Sequence, residues 1–401
     1  MVPKGWNALN LKNVAKKIQD GNYGADYPKA DELVASGIPF LTSKVIGGNG
    51  KVNQDKFDYI SEEKHQKLKK AQIRSGDILF TNRGANVGTI AITPDYLSVG
   101  NIGPQLTLIR CNEKIEKDFL FQFLRGSFFQ KQVRKQDSGS AMNFFGIKDT
   151  ERFKILVPTI PEQRKIAAIL STWDNAITTT EQLLANSQQQ KKALMQQLLT
   201  GKKRLLDENG ERFRGEWVNS LLSEIAFIVM GSSPKSEAYN ENDCGLPLLQ
   251  GNADIKNRIS MPRIFTSQIT KECFYGDILL SVRAPVGSVA ISRHHACIGR
   301  GIASIKAKKN SVQEFLYQWL LWFEPRWDTF SQGSTFESIN SDDIKSLKIY
   351  LPSTKEQQKI ASVLTVADEE ISVLQQKIEA LKQEKKALMQ QLLTGKLRVI
   401  N

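Results

Sequence analysis

Two stretches of this chain repeat one hydrophobic rhythm. From Glu162 to Leu199 the mostly apolar stripe runs Ile166, Leu170, Trp173, Ile177, Thr180, Leu184, Ser187, Lys191, Leu194 and Leu198. From Glu356 to Leu393 the matching positions are Ile360, Leu364, Ala367, Ile371, Leu374, Ile378, Leu381, Lys385, Leu388 and Leu392. Alternating steps of four and three are coiled-coil spacing and predict two long amphipathic helices. Neither stretch contains Gly or Pro. Thr159 with Glu162, and Ser353 with Glu356, have capping-box spacing, while Gly201 and Gly395 stand where a left-handed C-cap residue belongs. At 1.5 Å per residue each helix would be roughly 57 Å long.

The two stretches are copies. KKALMQQLLTGK occurs at 191–202 and at 385–396, and the shift of 194 residues holds back to Pro158 and Pro352. Such a period is far too long for a solenoid and describes two halves, each a variable domain followed by one matched helix. A local twofold axis across the pair would make the helices antiparallel and place the variable domains at opposite ends. The copies share lysines and glutamines that packing alone does not require. Lys191, Lys192, Gln196 and Gln197, with Lys385, Lys386, Gln390 and Gln391, are therefore candidates for binding two copies of one partner.

The intervening segments match without a fixed register. GIPFL (37–41) answers GLPLL (245–249), SGDILFTNRGANVGTIAI (75–92) answers YGDILLSVRAPVGSVAI (275–291), and DFLFQFL (118–124) answers EFLYQWL (314–320). Gly-Asp before Ile-Leu reads as a turn into a buried strand. The scaffold is kept and the loops differ, which is the pattern of a recognition module. The expected fold class is α+β: two pseudo-symmetric α/β domains, 1–157 and 206–351, each followed by a long spacer helix, 158–205 and 352–401.

Composition fits a globular chain of two or three domains, 40% hydrophobic and 24% charged in 401 residues. No stretch approaches the length of a membrane span, and the N-terminal ten residues hold no apolar run. The four cysteines (Cys111, Cys244, Cys273, Cys297) lack a CxxC pair and read as buried thiols in a reducing compartment, with a cytoplasmic location expected. Net charge is +13, which suits a polyanion such as DNA. It is unevenly spread: 1–157 carries a net +8, whereas 206–351 carries −1.

Candidate base readers sit in loops between predicted strands: Thr81, Asn82, Arg83 and Asn86, answered by Ser281 and Arg283. Arg pairs bidentately with guanine and Asn with adenine. The alternative is that Arg83 and Arg283 form salt bridges to Asp77 and Asp277. Ser140 with Asn143, and Ser334 with Thr335, form a second polar loop before each long helix. Lys44, Asn101, Gln105, Asn252 and Arg300 are further choices. Lys64, Lys67, Lys69, Lys70 and Arg74 resemble phosphate contacts, as do Lys306, Lys308 and Lys309; a solvated face explains these runs equally well.

Signs of catalysis are missing from the sequence. There is no GxGxxG fingerprint and no Asn-Pro-Pro-Tyr or Asp-Pro-Pro-Tyr motif. The repeated Thr-Gly-Lys has Gln196 or Gln390 where a phosphate loop needs its first glycine. Asp343-Ile344-Lys345 has nuclease spacing without an evident partner acid, and His294-His295 with Cys297 would point apart on a strand. Neither a catalytic residue nor a metal site is expected. A structural tether with protein-binding ends, or an enzyme with a cryptic site, are the other classes left open.

Two variable domains alternating with two near-identical helices of the form P-x-x-x-EQ-x-KIA…KKALMQQLLTGK resemble the DNA-specificity subunit of a type I restriction–modification system. The resemblance covers the whole chain. It implies two target-recognition domains, each reading one half of a bipartite double-stranded DNA site, and paired helices that act as spacer and dock two methyltransferase subunits. It further implies that S-adenosylmethionine, ATP and Mg reside on partner subunits rather than on this chain, and that translocase–nuclease subunits join for cleavage. The near-neutral second domain departs from the basic balance of the first.

Overall fold

The computed structural model describes residues 2–24, 27–137, 144–327 and 338–399. Both long helices form, Ile160–Leu198 and Thr354–Leu392, each 39 residues. The chain divides into two compact units. Unit 1 joins residues 1–181 to 376–401, and unit 2 spans 182–375. Each unit is thus one α/β domain plus one end from each long helix.

Within unit 1 the two helices run antiparallel, because Asp174 meets Lys385 and, further along, Glu181 meets Lys382. Within unit 2 Lys191 meets Asp368 and Ser187 Oγ donates to Glu370 at 3.0 Å, again antiparallel. The predicted stripe is the buried face. Ile166, Leu170, Ile360 and Leu364 are fully buried, as is Leu392, and they merge with the core of their own unit. Each such side chain contributes about 1.5–3 kcal/mol of transfer free energy. The stripe's polar members are satisfied in two ways: Thr180 Oγ1 donates to the Ala176 carbonyl of its own helix at 2.7 Å, whereas Ser187, Lys191 and Lys385 reach carboxylates of the facing helix.

Both glycine caps are in the left-handed region, Gly201 at φ +69° and Gly395 at φ +67°. Their N–H groups donate to Leu198 and Leu392, closing the final turn. The N-terminal caps differ from expectation. Glu162 accepts Trp6 Nε1 at 3.1 Å and the Arg398 guanidinium at 2.7 and 2.9 Å, and Glu356 accepts Arg204 at 2.6 and 2.7 Å. These carboxylates tie distant chain segments to the helix start instead of reaching back to the N-cap backbone. Among the described residues the Ser353 half of a box appears, as an acceptor from Glu356 N–H at 3.4 Å.

Each α/β domain holds the same run of four antiparallel strands. In unit 1 the order is Ala15–Asp20, Leu106–Cys111, Ile78–Thr81, Ile90–Ile92, with Ile78 opposite both Ile109 and Ile92. In unit 2 it is Ala226–Met230, Ile302–Ala307, Ile278–Ser281, Val289–Ile291, with Ile278 opposite Ile305 and Ile291, and the sheet continues with Ile259–Ser260, parallel to Val289–Ile291, and then Ile255–Lys256. A second sheet in each unit contains one parallel pair, Ile38–Leu41 with Asn101–Ile102 and Leu246–Leu249 with Ala296–Ile298. Among the cysteines, Cys273 and Cys297 are buried, Cys111 is half-buried, and Cys244 is exposed, contrary to its reading as a core thiol.

Candidate nucleic-acid interface

One end of the first sheet collects most of the candidate readers. In unit 1 the strand ending at Asp20 turns at Gly21, whose N–H donates to Leu106. The strand ending at Thr81 passes to Asn82, whose N–H donates to Gln105. Leu41, at the end of the second sheet, accepts from Gly103. Gly21 and Gly103 cross so closely that a Cβ on Gly21 would lie 2.0 Å from the Gly103 carbonyl oxygen, so neither the crossing nor the rim tolerates a side chain there. Unit 2 builds the same rim: Gly231 donates to Ile302, Val282 to Gly301, and Gly299 to Leu249.

On these rims the structure brings together Arg83, Gln105 and Lys70 in unit 1, and Arg283, Arg300 and Asn252 in unit 2. Arg83 donates Nε to Asn82 at 3.2 Å and lies over the Phe144 ring at 4.4 Å. Lys70 lies over the exposed Tyr23 ring at 4.4 Å, and Asn22 donates to the Lys70 carbonyl at 3.0 Å. Arg300 is exposed with Nε 3.4 Å from Ser233 Oγ. Arg283 and Asn86 are exposed, and Asn252 is half-buried beside Gly251. Gln105 keeps its Oε1 buried without a partner among the described residues. Lys44 follows the same strand end but pairs with Asp58 at 2.7 Å.

Several expectations are corrected. Thr81, Asn82 and Ser281 are buried and cannot meet a base edge: Thr81 bonds Thr89 at 2.7 Å, Asn82 bonds Asp20 and Thr107, and Ser281 bonds the carbonyls of Arg283 and Pro285. Asn101 is likewise spent on His65 and the Leu68 carbonyl. Among the described residues the alternative salt bridges do not form, because Asp77 holds Arg110 at 2.7 Å and Asp277 accepts Phe274 N–H and Ser304 Oγ. Arg74 is exposed but lies beside Asp77, at the other end of the strand from Arg83. Lys67 pairs with Glu63 and Lys64 with Glu32, while Lys69 is exposed. Lys308 donates to the Ser223 carbonyl, and Lys306 and Lys309 are exposed. Ser140, Asn143, Ser334 and Thr335 lie outside the described residues.

The repeated dodecapeptide splits into two faces. Lys192, Gln196, Gln197, Lys386, Gln390 and Gln391 are exposed in both copies. Lys191 and Lys385 face inward instead, 2.6 Å from Asp368 and Asp174, so these two are internal ion-pair partners rather than docking residues. Tyr23, Phe144, Arg204 and Arg398 escaped the sequence reading, because their roles depend on residues far away in the chain.

The catalytic triplets dissolve. Asp343 Oδ2 accepts the Asn340 N–H and caps a short helix. His294 bonds Ser260 at 2.7 Å, His295 bonds Glu272 at 2.6 Å, and Cys297 is buried. Among the described residues no cluster of His, Cys, Asp and Glu could hold a metal ion.

Comparison with known proteins identifies relatives over the whole chain. The family model described as type I restriction modification DNA specificity domain matches residues 3–186 and 214–383. A putative type I restriction enzyme specificity subunit of Methanocaldococcus jannaschii is 34% identical, over 99% of this chain and 95% of that protein. A chain solved in work on complex assembly and conformational transition of the type I R-M system has TM-score 0.63 and 26% identity, covering 99% of this chain and all of that one. An S subunit from M. genitalium shares the fold, with TM-score 0.62 at 14% identity and 96% coverage of each chain.

Proposed function

The chain belongs to the type I restriction–modification DNA-specificity family, and from that premise we propose that each sheet rim reads one half of a bipartite, asymmetric DNA site. The family is one of specificity subunits, so this chain recognises DNA and does not carry out the chemistry. The observation that carries the reading is one rim built twice from the same crossing glycines and strand ends but furnished with unlike side chains. Equal scaffolds suit two pieces of the same polymer, and unlike side chains suit two different sequences. Exposed lysines such as Lys69 fix register on phosphates, and a few rim groups choose bases.

The exposed repeat residues Lys192, Gln196 and Gln197, with Lys386, Gln390 and Gln391, present one surface twice and dock two methyltransferase subunits. S-adenosylmethionine, ATP and Mg would then reside on partner subunits, with translocase–nuclease subunits in the complete complex. Among the described residues no helix is long and apolar enough to cross a membrane. Its work on DNA would place the complex in the cytoplasm. The long helices set the spacer. Four residues inserted in one helix lengthen it by about 6 Å, or about two base pairs at roughly 3.4 Å each. Methylation mapping of the insertion variant is expected to show the same half-sites with a changed spacer; an unchanged spacer overturns the ruler.

Arg83→Ala tests the rim itself. Methylome sequencing of a host expressing the complete system is expected to show relaxed recognition at one position of one half-site, where discrimination falls about 10–100-fold. Full retention of both half-sites removes Arg83 from the reading surface, and loss of both together marks a folding defect.

A further inference from the structure

We infer that Asp20, Thr107, Asn82 and Phe144 form a positioning device that holds the Arg83 guanidinium flat, with its terminal NH2 fork free to pair with a guanine in the half-site of unit 1. The inference rests on the rim reading above and names the base that rim selects.

The device is a chain of contacts running from the sheet interior to the surface. Thr107 Oγ1 donates to Asp20 Oδ1 at 2.6 Å. Asn82 Nδ2 donates to Asp20 Oδ1 at 3.3 Å and to Thr107 Oγ1 at 3.0 Å. These bonds orient the Asn82 amide so that its Oδ1 faces outward and accepts Arg83 Nε at 3.2 Å. The Phe144 ring, 47% exposed, then supports the guanidinium face at 4.4 Å. Nε and one face are thereby occupied, whereas among the described residues no hydrogen bond engages the two terminal nitrogens. A planar fork held this way matches the O6 and N7 acceptors of guanine in the major groove.

The chain contains its own control. Strand register pairs Asp20 with Thr107, and in unit 2 it pairs Met230 with Ala303. Val282 takes the place of Asn82, since its N–H donates to Gly301 as that of Asn82 donates to Gln105, and Ser338 bridges Arg283 as Phe144 bridges Arg83. The same scaffold therefore closes with Met, Ala and Val where unit 1 keeps Asp, Thr and Asn. Packing does not require the polar set. Burying a carboxylate is unfavourable, and burial pushes the Asp20 carboxyl above its usual range despite the Thr107 and Asn82 hydrogen bonds. A costly network retained in one domain and absent from its twin points to the side chain at its outer end.

The test uses the full chain in its methyltransferase complex and the site defined by methylome sequencing. Three variants are compared: Arg83→Ala, Phe144→Ser, and the triple Asp20→Met, Asn82→Val, Thr107→Ala. Competition binding against duplexes changed one base pair at a time is the readout, with circular dichroism and melting to check the fold. The triple variant is expected to lose about 10–100-fold of discrimination at one G·C pair, at the position lost by Arg83→Ala, while the other half-site is unchanged. Phe144→Ser, on an exposed residue, is expected to lose about two- to fivefold there, which keeps the test open should the triple variant unfold. Full discrimination in Phe144→Ser and in a folded triple variant, at a position that Arg83→Ala loses, overturns the device but leaves Arg83 as a reader. Uniform weakening at every position makes Arg83 a phosphate contact, and no effect of Arg83→Ala removes Arg83 from the reading surface; either result overturns the device.

Discussion

Replacing Asp174 by alanine is expected to destabilise unit 1 by about 2–4 kcal/mol. Asp174 projects from the first long helix and accepts Lys385 Nζ at 2.6 Å, Gln122 Nε2 at 2.7 Å and Arg125 Nη1 at 3.2 Å. The Lys385 side chain is only 7% exposed, so removing its carboxylate leaves a desolvated ammonium facing the Arg125 guanidinium. Breaking a buried pair from one side costs more than the pair is worth, because the orphaned charge cannot regain water. The 21% exposure of the carboxylate moderates the figure.

Unit 2 supplies the comparison. Asp368 accepts Lys191 at 2.6 Å and Gln318 at 2.7 Å, but Leu321 stands where unit 1 has Arg125, and the Asp368 side chain is 39% exposed. Asp368→Ala should therefore cost less, about 1–2 kcal/mol. Urea denaturation of the full chain checks the ranking, and equal losses would contradict it. Adding Lys385→Met to Asp174→Ala should recover part of the loss, since the orphaned charge is gone.

The same carboxylate sets an acid limb. Burial alone raises the Asp174 pKa, yet Arg125, Lys385 and Gln122 together outweigh it and hold the group below the ordinary carboxylate value. A depressed folded pKa means that the stabilisation is complete above the unfolded value, about 3.9, and is lost as pH falls through the folded value beneath it. Asp174→Ala should flatten that limb of the stability–pH curve; an unchanged limb would assign it to other carboxylates.

Gly395→Ala is the second large effect expected, and Gly201→Ala its milder counterpart. Both glycines are left-handed, so any Cβ costs about 1–2 kcal/mol. A Cβ on Gly201 would rest 3.4 Å from the Trp217 indole, an ordinary contact. A Cβ on Gly395 would lie 2.4 Å from Pro3 Cγ and 2.9 Å from its Cβ, which adds about 1–3 kcal/mol of overpacking. Thermal melting should therefore rank Gly395→Ala below Gly201→Ala, and Pro3→Ala in the Gly395→Ala background should restore part of the difference. Equal melting temperatures would mean that the N-terminal segment yields without cost.

The long helices were readable because a 38-residue run free of Gly and Pro, with a four–three stripe and a glycine just beyond its end, satisfies one periodicity and no other. The paired sheets were readable as matched apolar words. Polar residues at strand ends were not. Thr81, Asn82 and Ser281 look like loop residues in sequence, but Thr81 and Ser281 close buried strands and Asn82 turns inward onto Asp20 and Thr107. Arg83 and Asn82, adjacent in sequence, end on opposite sides of the surface: one is held in the interior and the other is presented outside.

What the sequence by itself determined is the duplicated plan: two capped helices of equal length, two diverged domains, and a repeated surface suited to a partner met twice. Local periodicity and caps act over a few residues, so they survive in a one-dimensional reading. The tertiary structure alone decided which polar groups are free. Lys385 finds its carboxylate 211 residues away, Arg398 finds Glu162 across 236, and Asp20 reaches Thr107 across 87. The worth of a charge depends on which distant group removes its water, and that is settled only when the chain has folded.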